Sequence, residues 1–164
     1  MPRFLRAIRF DQSDAHVFPR AASENDWAIP GSFVFAHGQF GDPAELTGKE
    51  RQAFVSGFLA LGSFGFSTLV SVADAGQQNI DACTALLTGH LLDHYGAPSE
   101  ATAREAAEAE IAFGRELADG LELNTLLALK REIGEDGQIR ESFHIVTPPG
   151  EKPHARIWDV VEEP

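Results

Sequence analysis

Residues 46–74, LTGKERQAFVSGFLALGSFGFSTLVSVAD, decide how the rest of the chain is read. Thr47-Gly48-Lys49-Glu50 has the form of a capping box, in which the threonine hydroxyl and the Glu50 carboxylate satisfy each other's backbone amides. Behind it Phe54, Val55, Phe58 and Leu61 fall at helical spacing, which predicts a helix that Gly62 ends. Ser63-Phe64-Gly65 then turns the chain into a strand over Phe66–Ala73. That strand is apolar on both sides, so it is expected in the sheet interior with helices over at least one face.

Working outward, Phe4–Phe10 alternates and reads as a first strand, and Ser32–Ala36 reads as a second, placed after Pro30 because proline cannot donate to a ladder. Asp74 three residues before Gln77 repeats the capping pattern and opens a helix over Gly76–Tyr95, with Ile80, Leu87 and Leu91 on its core side. Gly96-Ala97-Pro98 stops it. Ser99 caps a third helix whose Ala103, Ala106, Ala107, Ala109 and Ala112 allow a neighbouring helix to approach closely. Leu126–Ile133 and Ile139–Thr147 flank Gly134-Glu135-Asp136-Gly137, a hairpin signal, and Ala155–Val161 reads as a last strand. The order β-β-α-β-α-α-β-β-β implies an α+β fold. We expect a mostly antiparallel sheet of about six strands and three helices, largely on one face, in a single domain over residues 1–164.

Composition narrows the function. The chain has 164 residues, enough for a real core, and twelve phenylalanines against one tyrosine mean that apolar rings anchor it. With a formal charge of -12 and no basic run, it lacks what phosphate neutralisation needs, so neither nucleic acid nor an anionic membrane surface is an expected partner. One cysteine, Cys83, excludes an internal disulfide and fits a reducing compartment. Met1–Phe10 lacks the apolar core of a signal peptide and no apolar run has membrane-spanning length, so the expected location is cytoplasmic.

Three groups of residues carry potential chemistry. His90 and His94, four apart on the second helix with Asp93 between them, share a face on the side of Cys83 and could bind one metal. Against that, no glutamate follows the first histidine and no third ligand is identifiable, so boundary histidines satisfied by neighbours are the simpler reading. Asp74, Gly76 and Gln77 lie where a buried strand meets a helix N-terminus, a place for small anions, although Asp74 would itself fill the position as a cap. Gly62-Ser63-Phe64-Gly65 is part of a nucleophile elbow in the wrong order, serine after helix and before strand, and reads as a turn. Cys83 sits mid-helix beside the apolar stripe, as a buried small hydrophobe does. Lys49, Arg51 and Trp27 could line a cleft. Glu105, Glu108 and Glu110 with Arg104 and Arg115 form a solvated helix face.

Trp27-Ala28-Ile29-Pro30-Gly31, Gly48-Lys49-Glu50-Arg51-Gln52-Ala53-Phe54, Gly57-Phe58-Leu59, Ser63-Phe64-Gly65-Phe66-Ser67-Thr68, His90-Leu91-Leu92 with Tyr95-Gly96-Ala97-Pro98, and His154-Ala155-Arg156-Ile157-Trp158 together resemble a family of small bacterial proteins known as a domain of unknown function. The resemblance covers nearly the whole chain. It implies a single-domain cytosolic bacterial protein and carries no activity, cofactor or catalytic residue. The residues then favour a non-catalytic binding or accessory protein that self-associates through its sheet or its alanine-rich hairpin. The alternative is a metal-dependent or small-anion-binding enzyme with its site near the second helix.

Overall fold

The computed structural model describes residues 2–8, 18–20, 22–23, 25–36 and 40–147. Strands β1 (Arg3–Ile8) and β2 (Trp27–Ile29) are followed by a helical turn α1 (Phe33–Ala36), a 3-10 turn (Pro43–Glu45) and helix α2 (Gly48–Ser56). Next come β3 (Phe58–Leu61), β4 (Phe66–Ser67) and β5 (Leu69–Asp74), then the long helices α3 (Gln77–His94) and α4 (Glu100–Asp119). A hairpin of β6 (Leu126–Ile133) and β7 (Ile139–Val146) completes the described elements. The fold is α+β. Its strands form one sheet in the order β4-β3-β2-β1-β5-β6-β7, and every pairing is antiparallel.

The described residues form seven strands, close to the six or so expected, although the opening stretch folds differently from its pattern. Helix α2 ends at Ser56, and Phe58–Leu61 is a strand with all four residues buried. Gly57 makes the break. A Cβ there would meet the Ala53 carbonyl oxygen at 2.8 Å and the Phe66 ring at 3.0 Å, so only glycine lets the helix end pass this close to β4. The Thr47 hydroxyl makes no bond to the helix, and Gly48 enters it with φ +59°, off the backbone path that a capping box needs. Gly62-Ser63 becomes the tip of the β3–β4 hairpin, held by Asp26 Oδ2, which accepts from Ser63 Oγ at 2.7 Å.

The strand expected over Ser32–Ala36 is the helical turn α1, and the strand lies upstream at Trp27–Ile29. Gly31 reverses the chain with φ +73°, and the Ser32 carbonyl accepts from the Phe35 and Ala36 amides at 3.0 and 3.2 Å. Beyond the tip, Asp74 stays in β5 opposite Arg3 instead of capping α3. Gly76 takes the N-cap position, and its amide donates to Asn79 Oδ1 at 3.0 Å. Other expectations match: Ile80, Leu87 and Leu91 are buried on α3, and the Ser99 side chain caps α4 by accepting from the Thr102 amide at 3.1 Å. Gly137 supplies the positive φ, +80°, of the β6–β7 turn. The expected strand over Ala155–Val161 lies outside the described residues.

Burial explains why the middle of the sheet tolerates so few polar residues. Phe4, Ile29, Leu59 and Leu61 join Ile80, Leu87, Ala107 and Ile111 of the two long helices in one core. Their alternates on the same strands, Leu5, Ala28 and Ala60, build a second with Val70 and Val72 of β5 and Leu127 and Leu129 of β6. Central strands are therefore buried on both faces, but the single interior strand expected over Phe66–Ala73 is divided at Thr68: β5 lies inside the sheet between β1 and β6, whereas β4 stands at the end of the order of the described strands. Helices α3 and α4 pack on one another, with Ala103 and Ala107 buried between them and Ala106, Ala109 and Ala112 left exposed.

Candidate functional site

Strand β6 buries alternate residues: Leu127, Leu129, then Arg131. Placing an arginine third in an apolar series leaves its guanidinium 1% exposed. A buried cation is costly unless its N–H groups are all met. Nη1 donates to the Ala53 and Phe54 carbonyls at 3.1 and 2.9 Å, Nη2 donates to the Pro30 carbonyl, and Nε donates to Ser32 Oγ at 2.6 Å. Ala53 and Phe54 belong to the last turn of α2, where unpaired carbonyls concentrate the negative end of the helix dipole. The Phe35 ring lies 5.1 Å from the guanidinium carbon.

The counter-charge comes from across the hairpin. Glu141 is the direct register partner of Arg131, and its Oε2 lies 3.4 Å from Arg131 Nε. Ser32 completes the cluster: its hydroxyl donates to Glu141 Oε2 while accepting from Arg131. Burial pushes the Arg131 pKa down to about 10, against the pull of Glu141 and Glu110, so the group stays cationic at neutral pH. Glu110 on α4 is shifted the other way. Burial and then the Glu141 charge raise its pKa, and Arg131 opposes them.

Above this cluster lies a cavity of ≈ 710 Å³ lined by Ser32, Phe35, Asp42, Ile133, Ile139 and Glu141. A smaller one of ≈ 340 Å³, bounded by Phe33, Leu91, Tyr95 and Glu110, opens beside α4. Nucleophilic attack by Ser32 would need a base to take its proton and a donor for the oxyanion. No imidazole lines either cavity among the described residues, and the Arg131 N–H groups are directed at carbonyls and Ser32. The arrangement can hold a ligand.

The residues singled out from sequence lie elsewhere. His90 and His94 have ring centroids 4.9 Å apart. The Phe64 ring, from the β3–β4 turn, stacks flat on His90 with centroids 3.8 Å apart and planes within 5°, joining two features that the chain order keeps separate. Burial, then the charge of His94, lowers the His90 pKa, Asp93 raises it and Arg20 lowers it further. Among the described residues no three His, Cys, Asp or Glu side chains are placed to hold a metal. Cys83 is buried in the core, and its thiol is pushed up to about 12 by burial and by the Asp26 charge, so it packs as a hydrophobe. Asp74 is exposed at the end of β5, and Gln77 Nε2 donates along its own helix to Asp81 Oδ1 at 2.9 Å.

Lys49 and Arg51 are exposed, and Trp27 carries the Arg6 guanidinium over its ring at 5.1 Å. Glu105, Glu108 and Arg104 are solvated as expected, whereas Glu110 is half-buried toward Arg131. Ser32, Arg131 and Glu141 are not among the residues singled out from sequence, and Glu110 is expected there on a solvated face. The signal was present for one of them: in Leu127-x-Leu129-x-Arg131-x-Ile133 a cation occupies an apolar beat of the strand.

A family model described as Family of unknown function (DUF6505) matches residues 1–157. No curated protein and no solved structure matches the chain.

Proposed function

The chain belongs to Family of unknown function (DUF6505), and from its geometry we propose that it is a non-catalytic binding protein of the bacterial cytoplasm that self-associates. One observation carries the binding reading: Ser32 and Glu141, tied to each other and to the buried Arg131, line an open ≈ 710 Å³ cavity. That volume suits a small organic molecule, and the mixture of apolar lining with a few fixed polar groups is what such sites use. Self-association is supported along β7, farther from the turn than the Ile139 and Glu141 that line the cavity. Among the described residues strand β7 ends the sheet order, Ile145 on it is 64% exposed, and Phe113 of α4, 37% exposed, meets the Phe143 ring edge-on. An eight-residue edge with an apolar margin invites pairing with a second copy about a two-fold axis. No helix among the described residues is long and apolar enough to cross a membrane.

The test is a fragment screen followed by amide chemical shifts of the labelled full chain. Hits that move Ser32, Ala36, Gln138 and Ile139 would support the cleft; shifts confined to other surfaces, or none, would sink it. A second reading, a metal-dependent or anion-binding enzyme centred on α3, draws on the closeness of His90 and His94. Stoichiometric zinc, iron or nickel in native protein, lost in a His90→Ala variant, would carry that reading instead.

A further inference from the structure

We propose that the cavity over Ser32 and Glu141 takes a ligand bearing a protonated amine next to a small apolar body, the amine donating to Glu141 Oε1. This rests on the reading of the cavity as a binding cleft and adds the chemistry it selects. The two oxygens of Glu141 are used unequally. Oε2 receives the Ser32 hydroxyl and faces Arg131 Nε, while Oε1 accepts nothing among the described residues. The side chain is only 17% exposed, so a ligand that covers Oε1 without a donor would strand a carboxylate oxygen away from water.

The charges of the lining have one sign. Asp42 and Glu141 carry them, and no lysine or arginine lines the cavity among the described residues. Arg131 stands behind Glu141 with its N–H groups turned to Pro30, Ala53 and Phe54, so it offers nothing to an anion. A carboxylate ligand would meet two like charges, and a neutral alcohol would satisfy Oε1 without the Coulombic gain. Phe35, Pro43, Ile133 and Ile139 supply the apolar part of the lining, which a methylene chain or single ring would cover. The overall charge of -12 further favours approach of a cation.

The probes are benzylammonium, benzyl alcohol and benzoate, which share a ring and differ in charge, titrated by calorimetry into the full chain. Benzylammonium should bind about tenfold or more tightly than benzyl alcohol, with benzoate silent, and added salt should weaken it. Glu141→Gln should remove the preference for the ammonium. Because that variant disturbs Arg131, Asp42→Asn, which keeps the oxygen that caps Ala44, should weaken benzylammonium several-fold on an unaltered fold. Ala44→Trp, on the cavity wall, should block all three probes. Equal binding of the alcohol or of benzoate would overturn the charge assignment and leave the cleft standing. No binding by any probe would overturn both, and benzylammonium binding indifferent to all three variants would place the amine elsewhere and overturn the proposal.

Discussion

Arg131 and Glu141 face each other directly across the β6–β7 ladder, with Nε and Oε2 3.4 Å apart, and together they join that hairpin to a part of the chain some eighty residues earlier. Beyond Ala128, β6 has no register partner in β5. From Leu129 onward the hairpin is held by β7 on one side and, through Arg131, by the end of α2 and the Pro30 carbonyl. Ser32 then links the same ion pair to the start of α1. Ser32, Phe35 and Glu141 of the cavity wall are thus all in contact with one buried cation.

Removing that cation should be expensive. Arg131→Met leaves the Glu141 carboxylate without its counter-charge and takes the guanidinium away from the Ala53, Phe54 and Pro30 carbonyls, and a broken buried pair costs about 3–5 kcal/mol. Chemical denaturation should show a loss of that size. The double variant Arg131→Met with Glu141→Leu should recover part of it, since no charge is then stranded. Arg131→Lys should not rescue, because a point charge cannot reach donors' targets in three directions at once.

Gly31→Ala tests the turn that brings Ser32 to the cluster. The backbone there has φ +73°, and an added Cβ would lie 2.6 Å from Leu59 Cβ on β3. Strain of this kind costs about 1–3 kcal/mol, and equilibrium unfolding should register a loss in that range or above.

Stability should respond to acid through His90. Its pKa is lowered in the folded state from the ordinary value of 6.5, so the contribution is fully present above about pH 6.5. It is lost as pH falls from there through the folded value, because the unfolded chain then binds the proton more readily. His90→Phe keeps an aromatic ring against Phe64 and removes the proton. Melting temperatures of this variant should be flatter with pH than those of the parent between pH 7 and 5, and parallel curves would refute the assignment.

Self-association through β7 predicts a concentration-dependent sedimentation coefficient that Ile145→Lys abolishes. A charge on a 64% exposed position costs the monomer little, so unchanged melting with lost association is the expected pair of results. Association that survives the substitution would point to another face.

Long elements were legible because their periods are unambiguous over many residues. Ile80, Leu87 and Leu91 mark one side of α3, Ser99 caps α4, and the Gly134–Gly137 turn sets the β6–β7 hairpin. Phe58–Leu61 was not legible, since four consecutive apolar residues satisfy helix and buried strand alike. Pairing with distant partners decided it: Ala60 sits against Ala28 of β2, and Phe58 against Ser67 of β4. The same ambiguity hid α1 inside Ser32–Ala36. The site suffered from both errors. Hairpin register alone would have paired Arg131 with Glu141, but the carbonyls that receive Arg131 lie at the end of α2, which the local pattern extended to Gly62. His90 and His94 were easier to see in sequence because their spacing is local.

The most direct measurement is hydrogen–deuterium exchange across the parent and the Arg131→Met variant under native conditions. If Arg131 holds the hairpin and builds the cavity wall, amides in residues 129–143 should exchange faster in the variant while those of β1 and β5 stay protected. Unchanged protection of residues 129–143, or uniform loss across the whole sheet, would contradict it.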